Sequence, residues 1–364
     1  MTMTQPSDGA DDGADPVADE RVRSAGARLG EEAEDDAFGE RSHLDADGKP
    51  RIVERHLIVP AELAGLRLDH FVKTQIQRLS RTKIQHVIDT QLRRADGYAP
   101  KSATKVAEGE HYIIRREAKP EPACPRTFGV VHEDRRLLIV DKPAGLPVHA
   151  SAKFYFNTLA RVLSERYPDE PELQLCHRLD RETSGCVVIA RDREAAAYVK
   201  QAISDKGRTT KQYLAVVAGQ PPWDHEHVLD ASLRISDERD GTKLATVKVL
   251  VDPAGMQAIT KVQVERRSGP YALVRCTLVT GRQHQIRVHL AHAGYPIVGD
   301  KLYAHGDDAF IEYCDEGLTP ELAELFVLPR HALHAARITV PHPDGGMVTG
   351  EAPLPTDMRG LLSV

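Results

Sequence analysis

The stretch HRLDRETSGCVVIA at residues 177–190 changes character at Cys186, where a mostly polar turn runs directly into an apolar strand. One carboxylate of the turn, Asp180, has Arg178 and Arg181 on either side of it. A nearby cation favours the charged form of a carboxylate, so Asp180 is a candidate ionised nucleophile or base. From these residues alone, an aspartate that merely forms or caps the turn is the stronger alternative.

Short apolar or alternating runs on both sides of this segment also predict strands. They are LLIV (137–140), YLAVV (213–217) and YALVRCTLV (271–279). Helical patterns occupy residues 159–166, 193–203 and 283–293, and the last of these ends at Gly294. Because strands and helices do not alternate strictly and no GxGxxG motif is present, we expect an α+β fold with a mainly antiparallel sheet rather than a doubly wound fold.

The segment TGRQHQIRVHLAH (280–292) is dense in side chains that could carry chemistry. Its apolar positions turn one helical side inward and leave Arg287 on a flank near the start of the helix. His289 and His292 are three residues apart, a spacing that could suit a metal. No carboxylate or thiolate stands at a familiar ligand spacing, so we expect no metal site.

The net charge of -6 for 364 residues hides an uneven distribution. Residues 1–50 hold 14 acidic and 5 basic side chains, so residues 51–364 carry 40 acidic and 43 basic ones. The acidic segment has almost no aromatic or β-branched residues, and this composition predicts a disordered tail. Solubility is its simplest role, and shielding of a basic surface or partner binding is the alternative.

Residues 51–116 predict a small helical domain. Apolar residues recur at helix spacing between Leu68 and Leu79, and Ser80 can cap a second helix with Ile84 and Ile88 on its buried side. Basic residues cluster on and after these helices, as a phosphate-binding patch or as a solvated surface: Arg67, Arg78, Arg81, Lys83, Arg93, Arg94, Lys101 and Lys105. Three prolines in residues 117–125 predict a linker, which leaves residues 126–364 as the second domain.

Five cysteines without a CxxC pair indicate neither a disulfide framework nor a thiolate zinc site. The first residues lack the basic and apolar regions of an export signal, and no apolar stretch approaches the ~18 residues of a membrane span. We therefore expect a cytoplasmic protein. The P-loop, HExxH and GxSxG patterns are also missing from the sequence.

Five ordered blocks of the chain resemble the RluA-type family of pseudouridine synthases. They are VDKPAGLPVHAS (140–151), HRLDRETSG (177–185), KQYLAVVAG (211–219), TGRQHQIRVHLAHAGYPIVGDKLY (280–303) and RHALHAARITVPHP (330–343). GLRLD (65–69) and SRTKIQ (80–85) resemble the RNA-binding domain named after ribosomal protein S-four. The resemblance spans about residues 53–358 and implies a pseudouridine synthase fold behind a small helical RNA-binding domain.

The resemblance implies an isomerase that breaks the nitrogen–carbon glycosidic bond of a uridine in RNA, rotates the uracil and forms a carbon–carbon bond. Asp180 would be the essential carboxylate, as nucleophile or as base. Arg287 would pair with it, and Tyr213 would stack on the target base and help to move a proton. Without the resemblance, Tyr213 reads as an ordinary strand aromatic. The reaction exchanges no electrons, and we expect no cofactor.

The resemblance also implies RNA contacts. Arg178 would fill the space left by the flipped base, because a stacked uridine must leave its helix to reach a buried carboxylate. Phosphate contacts are expected from Lys142, Arg181, Lys211 and Arg282, and from Arg67, Arg81 and Lys83 of the small domain. His149, His177 and His284 are expected to form hydrogen bonds that hold the scaffold.

Two positions depart from the pattern of the family. Gln283 stands where the family usually has Thr or Ser, and the loop TQLRRADG (90–97) differs from the family's usual turn. We expect a monomer that acts on large-subunit ribosomal RNA, with transfer RNA as the second choice. The alternatives are a non-catalytic RNA-binding or ribosome-assembly factor, and a metal-dependent hydrolase that uses His284, His289 and His292.

Overall fold

The computed structural model of the protein describes residues 37–77, 79–151, 153–205, 207–244 and 246–363. Most of the predicted tail, residues 1–36, lies outside them, as does Arg78. Residues 38–50 instead form turns that pack on the rest of the chain: the Cys124 amide donates to the Phe38 carbonyl (2.8 Å), and the buried Asn157 side chain donates to the Gly39 carbonyl (3.0 Å). The predicted tail boundary at residue 50 is therefore wrong. The carbonyls of Phe38 and Gly39 accept hydrogen bonds from Cys124 and from the buried Asn157, and buried donors need such partners.

The part of the chain between residues 52 and 117 contains the two predicted helices. They are α1 (Leu68–Gln75) and α2 (Arg81–Thr90). The Ser80 hydroxyl caps α2 by accepting a hydrogen bond from the Lys83 amide (3.4 Å), which confirms the predicted cap.

The same part also contains a small antiparallel sheet that the prediction of a helical domain leaves out. Its strands are β1 (Ile52–Ile58), β2 (Leu92–Arg94) and β3 (His111–Glu117), in the order β1-β3-β2. Tyr112 and Ile114 alternate at strand period and bury one face of β3 against the helices. The prediction of a purely helical domain is wrong here. Only two buried positions of β3 show the strand pattern, which is too short a signal to predict a strand.

The predicted linker has no regular structure after Glu117, as its prolines require. It is nevertheless packed rather than free. The Glu121 carboxylate accepts hydrogen bonds from the amides of Phe156 and Asn157 (2.9 to 3.1 Å), and Cys124 is buried in the core. Residues Phe38–Val364 accordingly form one compact unit.

Ten strands after this point form one mixed sheet. They are β4 (Gly129–Glu133), β5 (Leu137–Lys142), β6 (Gln174–Leu175), β7 (Ser184–Ala190), β8 (Thr210–Ala218), β9 (His227–Asp230), β12 (Ile259–Ser268), β13 (Tyr271–Leu278), β14 (Leu333–Pro341) and β15 (Met347–Glu351), while β10 (Leu233–Ile235) and β11 (Val249–Val251) form a separate pair. The main order is β4-β5-β7-β14-β8-β13-β12-β9. Within it only β7 and β14 pair in parallel, so the α+β prediction is confirmed.

The remaining helices flank this sheet. They are α3 (Leu159–Arg166), α4 (Arg193–Ser204), α5 (Gln285–His292), α6 (Gly306–Glu316), α7 (Pro320–Phe326) and α8 (Thr356–Gly360). Helix α5 begins two residues later than predicted, because His284 has a left-handed backbone (φ 53°) that a continuing helix cannot contain. Within the described residues no helix is long and apolar enough to cross a membrane.

Strand β14 joins the two halves of the large sheet. On one side it pairs with β7, where His334 lies opposite Ser184, and on the other side it pairs with β8. Gly185 makes the close approach of β7 possible, because a β-carbon at this position would lie 2.3 Å from the Ala335 carbonyl oxygen. The turn that precedes β7 and the side chains of β8 therefore meet across β14.

Candidate active site

A cleft of about 390 Å³ opens beside the turn that precedes β7. Its lining brings together all three predicted catalytic residues, which come from a loop, a strand and a helix: Asp180, Tyr213 and Arg287. Two of the predicted RNA contacts, Arg178 and Arg282, also line it. The sequence order of these residues spans more than a hundred positions, so only the fold makes them neighbours.

Asp180 is held at the wall of the cleft by Arg287. One guanidinium nitrogen, Nη1, donates to Asp180 Oδ2 at 3.0 Å, and the Asp180 side chain keeps 34% of its exposure. Burial disfavours the charged carboxylate, but the charge and hydrogen bond of Arg287, joined by His284 only in the acid range where its ring is protonated, outweigh this effect and hold the pKa of Asp180 below its usual value. Asp180 is therefore ionised at neutral pH and still accessible from the cleft.

Arg287 gives its two-pronged contact to a different carboxylate, Asp300. Its Nε and Nη2 atoms donate to the two oxygens of Asp300 at 2.7 and 2.9 Å, deep in the protein. Asp300 also accepts from the amides of Leu302 and Tyr303, and these contacts with Arg287 lower its pKa to about 2 despite burial. Asp300 thus fixes the arginine, and the arginine presents one remaining prong to Asp180.

Sequence reasoning misses Asp300 as a functional residue. It stands inside the block that carries the family resemblance, between Gly299 and Lys301, but nothing in that pattern ties it to Arg287. Gly299 has a left-handed φ of +77°, and a β-carbon there would lie 2.1 Å from the Arg330 carbonyl oxygen. The backbone thus passes close to Arg330 just before Asp300, whose side chain is fully buried.

Tyr213 lies on β8 and contributes to the cleft wall. It is 8% exposed, and no described residue hydrogen-bonds its hydroxyl. Burial and the nearby Asp180 raise its pKa, so the phenol is protonated at neutral pH. Its hydroxyl is therefore an uncommitted donor next to the carboxylate.

A buried network braces the turn that carries Asp180, and sequence reasoning misses it as well. The Glu182 carboxylate accepts two contacts from the Lys301 ammonium, both 2.9 Å, and one from the His331 amide at 3.2 Å. The Thr183 hydroxyl meets the His331 ring at 2.7 Å. Strands and loops that are distant in sequence thus hold the residues after Asp180 in place.

The prediction that Lys142 binds phosphate is wrong. Its side chain is fully buried at the end of β5, and its ammonium donates to the carbonyls of Pro143 (2.7 Å), Leu146 (2.9 Å) and Arg181 (3.3 Å). Burial lowers its pKa to about 7. Lys142 instead ties the loop after β5 to the residue that follows Asp180.

The other predicted contacts of the large domain differ in availability. Arg178 is exposed at the cleft and forms no ion pair with a described residue, whereas Arg282 uses its Nε to reach the Gln257 carbonyl at 3.2 Å. Arg181 donates to Glu182 at 3.2 Å and lies over the Phe154 ring. Lys211 is half-buried on β8 outside the cleft lining, and burial lowers its pKa.

The small domain keeps two of its three predicted contacts free. Arg81 and Lys83 are exposed in the first turn of α2, and neither pairs with a described carboxylate. Arg67 instead donates to both oxygens of the buried Asp69, at 3.1 and 2.9 Å, and so stabilises the fold. The predicted basic patch is therefore smaller than the sequence suggests.

The histidines proposed as metal ligands do not converge. His289 is buried between the Thr260 hydroxyl and the Ala231 carbonyl, both at 3.0 Å, while His292 is exposed. Throughout the part of the chain that the structure describes, no group of three or more His, Cys, Asp or Glu side chains could hold a metal ion. His177 accepts from the Val188 amide at 3.1 Å, which confirms its scaffold role.

Comparisons with known proteins identify the family of this chain. Residues 136–292 match the family described as RNA pseudouridylate synthase. The chain is 34% identical over 319 residues to ribosomal large subunit pseudouridine synthase D of Nitrosomonas europaea, an alignment that covers 84% of this chain and 86% of the relative. It is 32% identical over 319 residues to ribosomal large subunit pseudouridine synthase C of Salmonella typhi, with 84% and 95% covered.

Among solved structures, human RNA pseudouridylate synthase domain containing 1 matches with a TM-score of 0.50 at 24% identity, over 64% of this chain and 86% of that one. This likeness concerns the fold alone. The family match and the relatives show that this chain is a pseudouridine synthase, which is an isomerase. Within that class, the chain belongs to the RluA-type family.

Proposed function

We propose that this protein converts a uridine of large-subunit ribosomal RNA to pseudouridine, with Asp180 as the essential carboxylate. The observation that carries the proposal is the ionised Asp180, held by Arg287 at 3.0 Å and open to the cleft. The names of the relatives support the ribosomal substrate. Transfer RNA is the second substrate class, which the experiment below distinguishes.

The proposed reaction breaks the bond between uracil N1 and the ribose and joins uracil C5 to the same ribose carbon. The proton that C5 loses is balanced by the proton that N1 gains, so no electron acceptor is required. Asp180 acts either as nucleophile or as the base that assists cleavage, and both roles need the charged carboxylate.

Tyr213 and Arg287 have separate tasks in this proposal. The Tyr213 ring offers a surface for the target base, and its hydroxyl can relay the C5 proton by taking it on oxygen while its own proton passes to water in the cleft. Arg287 holds Asp180 charged and oriented because Asp300 fixes the other side of its guanidinium.

RNA binding in this proposal combines a cleft contact with a basic helix. Arg178 is exposed at the cleft, where it can occupy the space that the flipped uridine leaves in its stack. The part of the chain from 51 to 116, which resembles the S-four RNA-binding domain, adds Arg81 and Lys83 as phosphate contacts. We expect the enzyme to act in the cytoplasm as a monomer without a cofactor, and sedimentation of the purified protein tests the monomer.

The substitution Asp180→Asn tests the chemistry. It keeps the shape and removes the charge, so pseudouridine formation should fall below detection while RNA affinity changes by no more than about twofold. Asp308→Asn is a matched control because the Asp308 side chain is 93% exposed on α6, and it should retain full activity.

The readout is pseudouridine mapping of total RNA from cells with the natural protein, with either variant, or without the gene. A site that disappears from large-subunit ribosomal RNA supports the full proposal, and one that disappears from transfer RNA only changes the substrate. Normal pseudouridine in cells with Asp180→Asn would instead indicate a binding or assembly factor.

A further inference from the structure

His284 occupies a strained position at the mouth of α5. Its backbone is left-handed (φ 53°, ψ 15°), a conformation that side chains with a β-carbon rarely adopt. Only two other non-glycine residues in the described part of the chain, Thr246 and Val327, have a positive φ. Such strain persists where the surroundings impose it, and it concentrates at functional sites.

A short chain of hydrogen bonds fixes the ring of His284. The Val249 amide donates to the Tyr303 hydroxyl oxygen at 3.0 Å, and this hydroxyl lies 2.8 Å from Nδ1 of His284. The Tyr303 proton has no other acceptor among the described residues, so the hydroxyl donates to Nδ1. The two rings also meet edge to face, with centroids 5.7 Å apart.

This arrangement determines which ring nitrogen carries a proton. Burial and the positive Arg287 lower the pKa of His284 to about 4, so the ring is neutral at pH 7 and has one N–H. Since Nδ1 accepts from Tyr303, the proton is on Nε2. Nε2 lies 3.9 Å from Asp180 Oδ2, too far for a hydrogen bond, at the wall of the cleft.

A neutral donor at this point suits the reaction better than a cation would. A protonated imidazole next to Asp180 would pair with the carboxylate and weaken it as a nucleophile or base. A neutral N–H can instead meet an oxygen that becomes negative during bond cleavage, without neutralising Asp180. The carbonyl oxygens of a departing uracil gain such charge.

We propose that His284 is a catalytic residue whose Nε2–H donates to a carbonyl oxygen of the target uracil as the glycosidic bond breaks, and that Tyr303 is its positioning residue. This inference rests on the proposed function. Asp180 acts at the ribose carbon and the bond that breaks, and His284 stabilises the negative charge that develops on the departing uracil.

The first test is His284→Gly, which removes the donor and suits the left-handed backbone, so the fold should persist. We expect kcat on the target RNA to fall about 10²- to 10³-fold, as for loss of one such donor, with KM within about twofold. His292→Gly is a control on the same helix, with an exposed side chain, and should leave kcat within about threefold.

Tyr303→Phe tests the positioning role separately. It removes the hydroxyl that donates to Nδ1 of His284, so kcat should fall about tenfold. The neutral His284 ring should then no longer carry its proton on Nε2 alone. Nitrogen NMR of the full-length protein at pH 7, with the His284 signal assigned by its absence from His284→Gly or His284→Asn, should show a proton on Nε2 in the natural protein. Tyr303→Phe should show a mixture of both forms.

The outcomes separate this inference from the proposed function. If Asp180→Asn is inactive but His284→Gly keeps its kcat, the inference is overturned and the proposed function stands. A raised KM with unchanged kcat, or a proton on Nδ1 in the natural protein, also overturns it. If Asp180→Asn remains active, the proposed function fails first.

Discussion

The cleft around Asp180 and the start of helix α2 use basic side chains in opposite ways. In the cleft, Arg287 is buried and its guanidinium is divided between Asp180 and Asp300 at 2.7 to 3.0 Å. In α2, Arg81 and Lys83 are exposed and pair with no described carboxylate. A buried cation bonded to two carboxylates sets geometry, whereas an exposed one attracts phosphate and is screened by salt.

Among the variants that test this contrast, Asp300→Asn should have the largest effect, because it breaks the buried side of the arrangement. Arg287 would lose its two-pronged anchor and be free to shift towards Asp180. We expect a loss of about 3 to 5 kcal/mol in the free energy of unfolding. We also expect about 100-fold lower kcat, the cost of a displacement near 1 Å. Urea unfolding and single-turnover kinetics measure the two effects.

Asp357→Asn is the matched control, because Asp357 forms a similar two-pronged pair with Arg330 outside the cleft lining. It should lower stability but leave kcat within about tenfold. The pKa of Asp300 is lowered from 3.8 to about 2, so its contribution to stability is present above pH 4 and lost as pH falls towards 2. Equal kcat losses in both variants would contradict a specific role for Asp300.

A comparison of two lysines sharpens the contrast further. Lys142→Met strands three carbonyls of the buried loop, and we expect a loss of about 3 kcal/mol in stability with unchanged RNA affinity of the folded protein. Lys83→Met should change stability by less than about 0.5 kcal/mol and weaken RNA binding instead. Thermal unfolding and binding titrations measure both, and a stable Lys142→Met with weaker binding would refute the assignment.

The smallest effect should come from Arg81→Gln and Lys83→Gln at the exposed helix start. Each should weaken binding a few-fold and reduce the slope of log affinity against log salt by about 0.7 to 0.9. Arg94→Gln is the control, because its guanidinium is paired with Asp96 and Glu110, and it should change the slope less. If the slopes for Arg81→Gln and Lys83→Gln equal the slope of the natural protein, the start of α2 is only solvated surface.

The local pattern predicts much of the fold because strand alternation and helix caps depend on near neighbours. The strand cores at 137–140, 186–190 and 213–217, and the Ser80 cap, all appear where predicted. The start of α5 does not. The left-handed backbone of His284 has no local sequence signal, and its ring contacts Tyr303, 19 positions along the chain.

The candidate site divides along the same line. Asp180, Tyr213 and Arg287 are predicted from ordered motifs, and the structure brings them to one cleft. Asp300 and the Glu182–Lys301 pair escape prediction because their roles depend on contacts across 13 and 119 positions. The prediction for Lys142 fails because the sequence does not show whether a lysine at the end of an apolar strand points outward or inward. Here it points inward.

The central place of β14 also bears on how the enzyme is made. Asp180 precedes β7, which lies on one side of β14, and Tyr213 belongs to β8, which lies on the other side. Strand β14 (Leu333–Pro341) is synthesised after both. Each half can form hairpins from near neighbours while the chain grows, but their junction must wait for the last part of the polypeptide. A nascent or C-terminally shortened chain would thus hold both residues and still lack the cleft.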